Sequence, residues 1–168
     1  MNRRILSSVS LFAVALVSSF PAYAADVSIP ENPPTQSLYE RLGGEAAITA
    51  VVDDFVGRAA ADPAVHFTRK GTPKEWDATP ENVATLKKHL TQFICSATGG
   101  PQIYEGKDLK ATHEGMGISE SEFGAIAADL KTSLNTFNVP QKEQDDLLTI
   151  VGTTQGSIVE KSEAPATS

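Results

Sequence analysis

Apolar residues recur at helical spacing in the three longest patterned segments of this chain. After Glu45 they fall at Ile48, Val51, Val52, Phe55, Val56 and Ala59. This i, i+3, i+4, i+7 spacing is typical of an amphipathic helix, which Asp62-Pro63 would end. Thr79-Pro80 and the capping box Ser119–Glu122 open two further segments with the same spacing. Since no stretch alternates in the way a strand does, the sequence predicts an all-α fold.

Two further helices and one long loop complete the predicted elements. A short helix is expected after Asp108, with His113 in it, and a last helix is expected from Val139-Pro140 to Ile158. The stretch from Ala64 to Thr79 has no periodicity and is predicted to be a loop. Loops of that length are uncommon without a function, so this loop is expected to contribute to one.

The two ends of the chain differ in composition from the patterned region between them. Arg3 and Arg4 precede a short apolar run, and Ala22-Tyr23-Ala24 then offers the small-x-small pattern of a signal peptidase site. We therefore expect residues 1–24 to be a cleaved signal peptide and the mature protein to be exported, to the periplasm if the source has two membranes. The run is too short to span a bilayer comfortably, so no membrane span is expected after cleavage. Residues 25–36 are predicted to be a flexible leader, 37–160 the folded domain and 161–168 a disordered tail.

Composition narrows the classes of partner and cofactor. The chain has 168 residues, a formal net charge of −7 and a single cysteine, Cys95. One cysteine excludes an internal disulfide and a cluster held by several cysteines of this chain, and Cys95 is expected to be a small packing or surface residue. The acidic balance argues against a nucleic-acid partner, which needs clustered Lys and Arg.

The three histidines are the candidate metal ligands. With Leu86 as the origin and about 100° per residue, His89 lies at about 300° and Phe93 at about 340°, so His89 borders the apolar face of its helix. His113 shares a face with Leu109, one turn earlier. The structural alternative for each is a core or boundary histidine with a satisfied hydrogen bond, and His66 is expected to be a solvated loop residue. Their spacing is not that of a zinc site, and no nucleophile elbow or phosphate-binding loop is present.

Several motifs resemble those of one protein family. Four segments are similar to segments of the group 1 truncated haemoglobins: Leu38–Gly44, Val52–Phe55, Gly99–Pro101 with Tyr104, and His113–Ile118. This resemblance implies a shortened globin fold, in which two helices pack over two helices around haem b. It also implies that His113 is the proximal iron ligand. Without a Cys-x-x-Cys-His motif, covalent haem c is not expected.

The segments expected on the other side of the haem depart from the family pattern. Val56 stands where the family usually has a tyrosine, and Leu86 or Leu90 stands where it commonly has a glutamine, which puts tight oxygen binding in doubt. Counting back from Gly99-Gly100, His89 falls where some cyanobacterial members place a sixth iron ligand. The predicted haem contacts are Phe55, Phe67, Leu86, Leu90, Phe93, Leu109, Met116, Ile118 and Phe123. The propionates are expected to meet loop cations, for which Arg69, Lys70 and Lys107 are candidates.

Four functions are compatible with these features. The resemblance implies a haem globin that binds the diatomic gases O₂, NO or CO. The same haem would also suit nitric-oxide dioxygenation or peroxidase-like chemistry, although the predicted pocket is poor in the polar groups that such enzymes need. The third function is that of an electron-transfer or haem-carrier protein, which has both axial positions filled and works with a redox partner protein. A helical domain without a cofactor is the fourth, and a visible spectrum distinguishes it from the others.

Overall fold

The computed structural model describes residues 36–161, so the predicted signal peptide and nearly all of the predicted leader and tail lie outside the described residues. Seven helices are described in this range, and the all-α prediction is confirmed. They are α1 (Leu38–Arg41), α2 (Gly44–Ala61), α3 (Pro80–Ala97), α4 (Leu109–His113), α5 (Glu120–Thr136), α6 (Gln141–Gly152) and α7 (Gln155–Ile158). No strand is present between residues 36 and 161, where one isolated parallel bridge joins Ser119 and Lys161.

Helix α2 is the centre of the fold. It packs against α3 and against α5, α5 packs in turn against α6, and the short α4 packs against α7. The apolar stripe of α2 supplies the middle of the core, as its spacing predicted. The buried core residues are Leu42, Ile48, Val51, Val52, Phe55, Val56, Ala59, Val65, Ile94, Cys95, Leu130, Leu134 and Leu147. Within the described residues, no helix combines the length and apolar character that a membrane span requires.

The local start and stop signals act as the sequence predicted. Thr79 accepts a hydrogen bond from the Asn82 N–H, with Pro80 in the first turn of α3, and Ser119 forms a capping box with Glu122 at the start of α5. Gly43 ends α1 with φ +92°, and a Cβ at this position would lie 2.9 Å from the Ala47 Cβ. This turn therefore requires glycine.

The prediction of one last helix up to Ile158 is wrong, because the structure divides this segment into α6 and α7. The hydroxyl of Thr153 donates to the Ile150 carbonyl at 2.6 Å and that of Thr154 donates to the Val151 carbonyl at 2.7 Å. In each case the backbone N–H of the same threonine also donates to that carbonyl, three residues earlier. These short-range hydrogen bonds accompany a tight turn between the two helices. Ile158 fits the helical spacing but belongs to the separate α7.

Candidate functional site

The predicted haem contacts on α2, on α3 and in the Ala64–Thr79 loop lie in or against the main core. Phe55 is buried within it, while Leu86, Leu90 and Phe93 of α3 are half-buried and pack against it. Phe67 of the loop is also half-buried there. The α3 side chains therefore present apolar surface that the chain itself covers only in part.

The predicted contacts on the α4 side form a second apolar group. Leu109, Met116 and Ile118 are half-buried, and Phe123 is buried but lies outside the main core of the described residues. Within residues 36–161, the two groups are thus not joined into one core. Such an arrangement suits a flat apolar cofactor, whose burial is worth about 25 cal/mol per Å² of apolar surface removed from water.

His113 is the last residue of α4, and its ring has a defined orientation. Its Nδ1 lies 2.7 Å from the carbonyl oxygen of Leu109, one turn earlier in the helix. A carbonyl oxygen can only accept a hydrogen bond, so Nδ1 carries a proton, and in the neutral ring the lone pair is then on Nε2. This is the second-sphere contact that prepares a histidine for a metal, because it fixes the tautomer and the direction of the ring.

His89 lies on α3, half-buried, as the helical wheel predicted. Its ring meets the ring of Tyr104 edge-on at 6.3 Å between centroids, and Phe93 meets the same ring at 5.7 Å. The hydroxyl of Tyr104 donates to the Lys107 carbonyl at 2.8 Å, immediately before α4 begins. Tyr104 therefore connects the histidine face of α3 with the start of α4. Burial, followed by the nearby Asp108 carboxylate, raises the pKa of Tyr104, so this hydroxyl keeps its proton.

The Ala64–Thr79 loop has a fixed internal structure. The Trp76 ring packs at 5.5 Å from Phe67, and its Nε1–H donates to the Phe67 carbonyl at 2.9 Å. The Arg69 guanidinium donates to Glu122 at 2.6 Å. Arg69, one of the candidates for a propionate, therefore donates to α5 in this structure, and the other two candidates, Lys70 and Lys107, are exposed.

A cleft of about 510 Å³ lies between this loop and the start of α5. It is lined in part by His66, Arg69, Met116, Glu122 and Lys161, and neither His89 nor His113 belongs to its lining. His66 is largely solvated, as expected, although its Nδ1 lies 2.8 Å from the Glu122 carboxylate.

Comparison with known proteins decides the family. The sequence model of the bacterial-like globins matches residues 37–160. The chain belongs to this family. It is 33% identical over 112 residues to a group 1 truncated haemoglobin of Mycolicibacterium paratuberculosis, which is 67% of this chain and 76% of that protein.

Solved structures agree with this assignment. The truncated haemoglobin of Tetrahymena pyriformis in its Fe(III) form superposes with a TM-score of 0.65 at 28% identity, over 75% of this globin and all of that chain. The 2/2 haemoglobin of a Synechococcus species, in the cyanomet state with covalently attached haem, superposes with a TM-score of 0.62 at 32% identity, over the same shares. The resemblance to group 1 truncated haemoglobins and the two-over-two fold are both confirmed.

Haem b is the usual cofactor of globins and is the cofactor of this chain, as predicted. The donor set of the globin fits it, since His113 offers a free Nε2 next to the apolar side chains of the α4 group. The pairing of Glu122 with Arg69 beside the cleft could not be predicted from the sequence. Glu122 was visible only as the N3 residue of a capping box, and nothing in that local signal pointed to Arg69.

Proposed function

We propose that this globin binds O₂, NO or CO at a haem b that His113 holds from the α4 side. The observation that carries the proposal is the hydrogen bond from His113 Nδ1 to the Leu109 carbonyl, which leaves Nε2 as an oriented ligand. When bound, the haem would supply the iron that takes up the gas, and the gas would meet it on the α3 face of the site. The predicted contacts Leu86, Leu90 and Phe93 would line that face and exclude water from it.

Replacement of His113 tests this assignment. His113→Ala is expected to lose most haem during purification and to unfold at lower urea concentration, because the cofactor stabilises only the folded state. The control is His66→Ala, which removes an exposed imidazole instead. The haem content per chain and the position of the Soret band are the measurements. A His113→Ala protein with wild-type haem content and an unchanged Soret band would refute the assignment.

His89 is the candidate for the second axial position in this proposal. Its ring is half-buried, packs against Tyr104 and makes no hydrogen bond within the described part of the chain. An imidazole without a hydrogen-bond partner is available as a ligand. If His89 fills about 99% of the sites, the apparent gas affinity falls about 100-fold, and the protein becomes a slow, gated gas binder or an electron carrier.

Spectra of the ferric and ferrous protein test the role of His89. Ligation by two histidines is expected to give a low-spin, six-coordinate spectrum in both oxidation states. His89→Leu should then become five-coordinate or water-ligated and should bind CO faster. A wild type that is already high-spin, with a matching His89→Leu spectrum, would contradict ligation by His89 and would favour an open gas-binding site.

The place where the protein works is also part of the proposal. The signal-peptide pattern of residues 1–24 supports export, with cleavage after Ala24. N-terminal sequencing of the native protein is expected to start near Ala25. A native product that keeps Met1 or Asn2 in the cytoplasm would refute export and would leave the haem proposal untouched.

A further inference from the structure

The turn that follows His113 is bound by a carboxylate from the other end of the domain. The Gly115 N–H donates to one oxygen of Glu160 at 2.6 Å, and the Gly117 N–H donates to the other oxygen at 2.6 Å. Both glycines have positive φ, +78° and +60°, which brings their N–H groups onto one side of the turn. Two N–H groups that converge in this way form a small anion-binding concavity, and here an internal carboxylate fills it.

Backbone hydrogen bonds hold that carboxylate in place. We call residues 155–161 the C-terminal strap. The N–H groups of Glu160 and Lys161 both donate to the Ile118 carbonyl, at 2.9 and 3.0 Å, and the Glu120 N–H donates to the Lys161 carbonyl at 3.3 Å. The strap therefore spans the whole connection between α4 and α5, and its helix α7 packs directly against α4.

Helix α4 needs such external support. It has five residues, Leu109–His113, and a helix that short does not form in water from its own hydrogen bonds. Asp108 caps its first turn by accepting from the Ala111 N–H at 2.9 Å. Its last turn, which carries His113, continues into the turn that Glu160 binds. The direction of the His113 ring therefore depends on what fixes this turn.

The charges around Glu160 favour its ionised form. The N–H groups of Gly115 and Gly117, in that order, lower the pKa of Glu160, and the nearby Lys74 and Lys161 ammonium groups act in the same direction. At neutral pH the carboxylate thus offers two charged acceptor oxygens. A neutral amide at the same position offers a single acceptor oxygen, so it cannot accept both bonds on separate oxygens.

We propose that Glu160 is a positioning residue for His113: by binding the N–H groups of Gly115 and Gly117, it fixes the end of α4 and sets how firmly the proximal imidazole holds the iron. This inference rests on the proposed haem function and adds to it a residue that lies 47 positions away in the sequence. Glu160 would touch neither the iron nor the gas. Its effect passes through the turn.

The test compares Glu160→Gln with Glu114→Gln in the haem-loaded mature protein. Glu114 is an exposed carboxylate adjacent to His113, and its side chain makes no hydrogen bond within residues 36–161, so the control removes the same charge without opening the turn. The first measurement is the rate of haem transfer from the ferric protein to excess apomyoglobin. Glu160→Gln keeps one acceptor oxygen but loses the second and the charge, so we expect an increase of about tenfold for Glu160→Gln and of less than about twofold for Glu114→Gln.

The second measurement separates positioning from general stability. In a His89→Leu background, the iron–histidine stretching band of the ferrous protein reports the strain and direction of the His113 bond. We expect this band to shift or broaden in Glu160→Gln, whereas Glu114→Gln leaves it in place. Gly117→Ala, which disfavours the positive φ by a different route, should reproduce both effects with the helical circular dichroism retained.

The outcomes are distinguishable. A wild type that takes up no haem would refute the proposed function and this inference together. A wild type that retains haem, with Glu160→Gln matching it in transfer rate and in the stretching band, would overturn the role of Glu160 alone. A faster transfer with an unchanged band would mean that Glu160 contributes only to stability, and that result would also overturn its positioning role.

Discussion

Glu122 is expected to make the stability of this globin strongly dependent on acid pH. Its carboxylate accepts hydrogen bonds from the Ser119 N–H at 2.8 Å and from Arg69 at 2.6 Å, with His66 Nδ1 also at 2.8 Å. Partial burial by itself would raise the pKa of this carboxyl. The hydrogen bonds from Ser119, Arg69 and His66 outweigh that effect and lower the pKa to about 2.

The magnitude follows from the difference between the folded and unfolded pKa. A fall from an ordinary value of 4.5 to about 2 corresponds to roughly 3 kcal/mol of folding free energy. Solvent screening removes little of this free energy at the ion pair of Arg69 and Glu122, because their side chains are only 10% and 12% exposed. His66 is 65% exposed and contributes less.

The sign of the pH effect is set by the direction of the shift. Because the folded pKa is depressed, the stabilisation is fully present above pH 4.5, the unfolded value, and is lost as the pH falls from there toward 2. Glu122→Gln removes the ionisation, so its stability should lack this part of the acid dependence. At pH 7 the variant is expected to be about 2–3 kcal/mol less stable than the wild type, and the gap should narrow steadily below pH 4.5.

Urea unfolding of matched haem-loaded proteins between pH 3 and pH 7 measures this difference. Equal haem and chain concentrations are required, since the cofactor itself stabilises the folded state. Glu114→Gln is the control, because its carboxylate lacks those hydrogen-bond donors in the described region. An equal stability difference between Glu122→Gln and the wild type at every pH, or the same pH dependence in Glu114→Gln, would contradict this role of Glu122.

The core, one helix cap and the aromatic contact on α3 give three more expectations. Leu134→Ala, at a side chain that is 1% exposed, should cost about 2–5 kcal/mol in urea unfolding, and a cost below about 1 kcal/mol would contradict its place in the core. Thr79→Ala should cost about 1 kcal/mol while Thr79→Ser costs little, because only the hydroxyl caps α3. Tyr104→Leu should change the fraction of low-spin ferric haem without a loss of helical circular dichroism. An unchanged spectrum would mean that Tyr104 does not orient His89.

Local signals predicted most of the helices because each depends on residues close together in sequence. Thr79-Pro80 and the Ser119–Glu122 box specify helix starts by side-chain capping within one turn. The break between α6 and α7 escaped the prediction, since Ile158 keeps the apolar spacing across it. Cys95 was expected at the surface or in packing, and the structure places it in the core with no exposure.

The contacts of the long loop and of the turn after α4 could not be predicted from the sequence, because they join distant segments. Arg69 and Glu122 are 53 residues apart, and Glu160 is 45 residues from Gly115. Charged residues in loops are usually solvated, and a sequence gives no reason to pair one particular carboxylate with one particular turn. The family resemblance named His113 as the ligand, but it did not indicate which side chains keep that histidine in place.

His89 and His113 are held in place by different physical means, so the two sides of the site are expected to open at different free energies. His89 belongs to an 18-residue helix that is capped at its start and packed along α2, so its position is as stable as the core. His113 belongs to a five-residue helix, with the Tyr104–Lys107 hydrogen bond before it and the Glu160 hydrogen bonds to the following turn after it. Segments held by a few exposed hydrogen bonds open at a lower free energy than the core does. The α4 side of the site should therefore loosen first, and haem loss should precede the unfolding of α2, α3 and α5.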